Sequence, residues 1–135
     1  MRRCLAVFAF VIAGALSTVP ATARTIHHAR FRSPTKLIQC GINIKLEGGG
    51  ITCYAPYLPH KELDGYVKLK PAGRPTLGER GDSPWLPSAH TVATLHYGDD
   101  WSGADIRCAM RAVGLTCTNR SHHGFFLSTQ RQRYF

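Results

Sequence analysis

One short pattern occurs twice in this chain: Ile38-Gln39-Cys40 answered by Gly50-Ile51-Thr52-Cys53, then Ile106-Arg107-Cys108 answered by Gly114-Leu115-Thr116-Cys117. Around the first copy, residues 38–47 alternate apolar and polar without a break. A strand puts Ile38, Cys40, Ile42, Ile44 and Leu46 on one face, whereas a helix would scatter them around its circumference. Gly48-Gly49-Gly50 supplies a turn, and Ile51-Thr52-Cys53-Tyr54 resumes the alternation. Each copy therefore reads as a β-hairpin. With Cys40 opposite Cys53, Ile42 faces Ile51 and Ile44 faces Gly49 around a loop at 45–48. With Cys108 opposite Cys117, Met110 faces Leu115 around a loop at 111–114, and both loops end in glycine. Directly opposed cysteines stand close enough to bridge. The spacing thus favours Cys40 with Cys53 and Cys108 with Cys117. Rings this short contribute on the order of 3 kcal/mol each by the loop-entropy model.

The first residues carry the pattern of a secretory signal. Arg2 and Arg3 precede an apolar run at 5–16, and Ala21-Thr22-Ala23 is a small-x-small cleavage site. The run falls short of the roughly 20 residues that span a bilayer. The expectation is a signal peptide at 1–23 and a single secreted domain at 24–135, extracytoplasmic or periplasmic, with no transmembrane segment in the mature chain. Cleavage removes Cys4 and leaves four cysteines, an even number that suits disulfides in an oxidising space. No Cys-x-x-Cys spacing favours zinc instead. The mature part holds 15 Lys and Arg against eight Asp and Glu, a net charge of +7.

Between the two hairpins, residues 56–87 contain six prolines and four glycines. They read as a connector carrying one short strand at 66–70, with Val67 and Leu69 inward. Further strands are expected at 91–97 and 124–128, and the tail at 130–135 offers another. No segment sustains a helical period. The fold class expected is all-β: a small antiparallel sandwich or partly open barrel built on two disulfide-closed hairpins.

Leu95-His96-Tyr97-Gly98, the hairpin from Ile106 to Cys117, and Thr118-Asn119 leading to His123-Gly124-Phe125-Phe126-Leu127-Ser128 carry a resemblance. They resemble a family of small secreted bacterial proteins, mostly actinobacterial, that is catalogued only as a domain of unknown function. Phe31-Arg32-Ser33-Pro34 and Ile38-Gln39-Cys40 look like the opening motif of that family. The chain departs from its usual Thr-Gly-His-Gly-Phe in having Ser121-His122-His123-Gly124-Phe125. The resemblance implies a secreted, disulfide-bonded β domain and implies no reaction.

The residues best suited to chemistry are His122 and His123 together with His96, Asp99 and Asp100. Imidazole with carboxylate can bind a metal or act as base and orienter, but such residues on loops also serve turns. A nucleophilic site is not indicated, because the cysteines are committed and no serine lies in a Gly-x-Ser-x-Gly elbow. Trp85, Trp101, Tyr54, Tyr57 and Tyr97 offer a stacking surface for sugar rings, with Trp101, on a turn, expected to be the more exposed tryptophan. Arg80-Gly81-Asp82 matches an adhesion tripeptide, and Asn119-Arg120-Ser121 a glycosylation acceptor. Lys68, Lys70 and Arg74 form one basic group; Arg111, Arg120, Arg131 and Arg133 form another. The leading expectation is a non-enzymatic binding module without cofactor, at the cell envelope or outside the cell. Its candidate ligand contacts are His96, Asp99, Asp100, Trp101 and His123. Its partner would be an anionic envelope polymer, an anionic lipid surface or another secreted protein. A small secreted hydrolase or metal-dependent enzyme using His96 and His123 with Asp99 or Asp100 is the alternative, and a secreted inhibitor a further one.

Overall fold

A computed structural model describes residues 22–43, 49–59, 65–79 and 92–135. The signal pattern up to residue 21, Ile44, the loop at 45–48, Arg80-Gly81-Asp82 and Trp85 lie outside these residues. Twelve strands form among the described residues, and no helix does. They are β1 (Thr25–Ile26), β2 (Arg30–Arg32), β3 (Gln39–Ile42), β4 (Ile51–Tyr54), β5 (Gly65–Leu69), β6 (Thr76–Glu79), β7 (Ala93–Thr94), β8 (Asp100–Gly103), β9 (Ile106–Arg111), β10 (Gly114–Asn119), β11 (Gly124–Leu127) and β12 (Gln132–Tyr134).

Both hairpins form in the expected register, with Cys40 opposite Cys53 and Cys108 opposite Cys117. Each pair is a disulfide, with Cα atoms 4.1 and 4.0 Å apart. Ile42 faces Ile51 and Met110 faces Leu115. The second loop is tighter than expected: Arg111 and Gly114 pair, leaving Ala112 and Val113 at the tip. The alternation of β9 and β10 places Ile106, Cys108, Met110, Leu115 and Cys117 inside and the residues between them outside.

The two hairpins seed two sheets on one plan. β2 to β6 form an antiparallel meander, as do β8 to β12. Each meander then gains a two-residue parallel strand from the other half: β7 beside β2, and β1 beside β8. Consecutive pairings therefore run Ala93–Phe31–Cys40–Cys53–Val67–Leu77 across one sheet and Ile26–Trp101–Cys108–Cys117–Phe125–Tyr134 across the other. Phe31 and Trp101 occupy matching places, and their ring centroids lie 5.2 Å apart.

The fold is all-β with two mixed sheets, and the parallel pairs are its departure from antiparallel order. The connector at 56–87 carries two strands, β5 and β6, where one was expected. The basic lead-in carries β1 and β2, and the strand expected at 91–97 is only Ala93–Thr94. One buried cluster joins both sheets and contains both disulfides.

Trp101 corrects a sequence expectation: it is fully buried, and its indole N–H donates to the His28 carbonyl at 2.6 Å. The turn expected at 98–100 gives way to β8 already at Asp100, and the alternation of that strand turns the Trp101 side chain into the core.

Candidate functional site

Strand ends and loops from both halves of the chain bound a groove of about 310 Å³. The β2–β3 turn contributes Ser33, Thr35, Leu37 and Ile38, and the segment after β4 contributes Tyr57. Tyr97 comes from the turn before β8, residues 110–114 from the β9–β10 tip, and residues 127–130 from the β11–β12 connection. Four large apolar side chains are exposed among the described residues: Leu37, Leu77, Tyr97 and Val113. Three of these four line the groove. Val113 at the hairpin tip is 73% exposed. Single exposed apolar residues are ordinary, and their convergence on one concavity makes this groove the candidate site.

Local hydrogen bonds fix each wall. In the β2–β3 turn the Ser33 hydroxyl accepts from the Ile38 N–H at 3.1 Å, and Lys36 N–H donates to the Ser33 carbonyl at 2.9 Å. Lys36 takes a left-handed conformation, φ 63°, and Leu37 follows it onto the surface. On the opposite wall the Ser128 hydroxyl donates to the Arg131 carbonyl and accepts from the Arg131 N–H, both at 3.1 Å. Gln132 Nε2 donates to the Ser128 carbonyl at 2.7 Å.

Of the residues singled out for chemistry, none lines the groove; His96, Asp99 and Asp100 lie behind the third wall and hold Tyr97 and Arg111, which do line it. Asp99 accepts from the His96 N–H through its carboxylate at 3.2 Å, and its own N–H donates to the His96 carbonyl at 3.0 Å. That turn presents Tyr97. Gly98 N–H then donates to the Met110 carbonyl at 2.9 Å, holding the turn against β9. Arg111 donates to the carbonyls of Asp99 and Met110 and forms an ion pair with Asp100 at 2.8 Å. This pair is partly exposed, so its value lies in orientation more than in stability.

His123 belongs to a different turn. Its N–H and that of Ser121 donate to the Asn119 side-chain oxygen at 3.1 and 3.0 Å. His96 and His123 thus each serve a separate turn. Among the described residues no group of three or more His, Cys, Asp or Glu is placed to hold a metal. Trp101 lies in the core, away from any ligand-facing surface. Asn119 is itself buried, and its amide N–H groups donate to the carbonyls of Lys70 and Gly73 at 2.9 and 2.8 Å. A side chain so engaged cannot serve as a glycosylation acceptor in the folded chain.

Of the expected aromatic surface, Tyr57 and Tyr97 meet in the groove, while Tyr54 packs edge-on against Tyr66 at 5.7 Å. Burial pushes the Tyr57 phenol up to about 12, and the neighbouring Tyr134 adds to the rise. Burial raises Tyr134 as well. Tyr57 therefore stays a neutral phenol over the physiological range. Leu37 and Val113 were missed from sequence because a lone apolar residue in a turn carries no periodic signal. Val113 at a tight hairpin tip, where polar turn residues are usual, was the available clue.

Residues 61–135, more than half of the chain, match the model of a family of unknown function, DUF6636. No curated protein and no solved structure matches the chain.

Proposed function

This chain belongs to the DUF6636 family, and we propose that it is a secreted, non-enzymatic binding module that receives its ligand in the groove between the β9–β10 tip and the β2–β3 turn. One observation carries the reading: of the four exposed large apolar residues among the described residues, three, Leu37, Tyr97 and Val113, converge there on one concavity. The lining suits a neutral or weakly anionic amphipathic ligand. It pairs apolar and aromatic groups with hydroxyls and a side-chain amide. Its cation, Arg111, is balanced by Asp100. Two disulfides fit an oxidising, extracytoplasmic space. The signal pattern at 1–23 supports export, with β1 beginning two residues after the proposed cleavage site.

The test uses 1-anilinonaphthalene-8-sulfonate, an apolar ring system with one anionic group, as a fluorescent probe of the whole mature chain. Saturable binding is expected. Val113→Asp, at a solvent-exposed tip, should weaken it about tenfold or more, since the change removes apolar contact and adds like charge (a factor of ten being about 1.4 kcal/mol). Saturable binding unchanged by Val113→Asp and by Tyr97→Ala would place the probe elsewhere and end the proposal.

A further inference from the structure

We infer that the outer face of the β8–β12 sheet is a second, separate binding surface, built for a linear polymer bearing phosphate groups. Arg107 stands exposed on β9 between buried Ile106 and Cys108, so it points away from the core. Arg133 stands exposed on β12, paired in register with Phe126 of β11. Arg131 lies over the Phe126 ring at 5.6 Å, and Arg133 over the Phe135 ring at 5.8 Å. Two strands, β10 and β11, separate Arg107 from Arg133. At about 4.8 Å per strand, these guanidiniums span roughly 14 Å of sheet.

Their electrostatic state differs from that of the neighbouring arginines. Arg111 is held by Asp100 at 2.8 Å, and Arg120 lies 3.7 Å from Asp105. Arg107, Arg131 and Arg133 have no carboxylate partner among the described residues. The face therefore keeps three uncompensated cations. Between them Thr116 and Thr118 project from β10 on the same side, adding hydroxyls and no acid. A guanidinium resting near a ring face still has N–H groups to offer the oxygens of a phosphate.

Two details choose the partner. Arg131 already covers a face of Phe126, which makes anion contact a better use of this surface than stacking of nucleobases. Membrane insertion would need protruding apolar groups. Of the exposed ones among the described residues, Leu37, Tyr97 and Val113 line the groove, and Leu77 sits on the edge strand of the other sheet. A linear polyanion lying across the strands can reach Arg107 on β9 at one end and Arg131 and Arg133 beside β12 at the other.

Long-chain inorganic polyphosphate is the probe, titrated into the intact mature chain at several salt concentrations. The triple variant Arg107→Gln, Arg131→Gln, Arg133→Gln should bind at least about tenfold more weakly at low salt. Its slope of log affinity against log salt should be shallower by about 2, at roughly 0.7 per phosphate contact. A control triple with equal charge loss elsewhere, Lys36→Gln, Lys68→Gln, Arg74→Gln, should keep most of the affinity. Equal loss in both triples would reduce the effect to net charge and overturn the proposal. So would capture by phosphatidylglycerol vesicles that depends on the three arginines while polyphosphate binding does not. Unaltered melting temperatures verify that the exposed substitutions leave the fold intact. Val113→Asp, which addresses the groove, should leave polyphosphate binding unchanged apart from its added charge, so failure at one site does not entail failure at the other.

Discussion

Asn119 shows how much one buried side chain can hold. It accepts from two N–H groups of its own turn and donates to two carbonyls of the β5–β6 loop, tying one sheet to the other. Gly124 follows from the same crowding: a Cβ there would strike the Cys117 carbonyl, so the His-Gly-Phe stretch requires glycine. Tyr134 is the opposite case, because its hydroxyl is buried without a hydrogen-bond partner among the described residues. A buried, unpaired hydroxyl costs about 1–3 kcal/mol. Tyr134→Phe is therefore expected to raise stability by about 1 kcal/mol in urea unfolding, and a loss of that size would mean the hydroxyl has a partner. Sequence gave no access to such facts. Trp101 was misplaced for the same reason: residue type set its preference for burial, but a neighbouring turn suggested exposure, and only the β8 register resolves the two.

At the scale of elements, the hairpins were legible because alternation, glycine and cysteine spacing all agreed. β1 and β7 were not, since two residues cannot display a period. Yet β1 does measurable structural work. Ile26 is buried, Asp100 N–H donates to the Arg24 carbonyl at 2.8 Å, and the Trp101 indole is satisfied by His28 next to β1. Ile26→Ala should cost about 2 kcal/mol, at the lower end for loss of a buried isoleucine side chain. It should also speed hydrogen exchange at the Asp100 amide more than at the Cys108 amide, inside a disulfide-closed hairpin. Equal acceleration at both would show that β1 is not separately docked. The groove was partly legible in the same way. The sequence groups His96, Asp99 and Asp100 with His123; the fold sets His123 on the Asn119 turn and makes the other three the support that presents Tyr97 and Arg111.

The whole molecule is two like sheets, each closed by one disulfide between its second and third meander strands and each finished by a short strand from the other half. That exchange makes the halves structurally interdependent, and it brings loops from both to the groove. No such relation could be read from composition, because it depends on which edges the two shortest strands reach. The pattern of exposure then separates two surfaces: an apolar-rimmed groove, and a sheet face with uncompensated arginines. The groove is the proposed ligand site. Amide chemical-shift mapping of the mature chain during titration with 1-anilinonaphthalene-8-sulfonate tests it most directly. The predicted result is a set of shifts concentrated at 33–38, 57, 97, 111–114 and 127–130; shifts centred on β6 around Leu77, or on no single region, would contradict it.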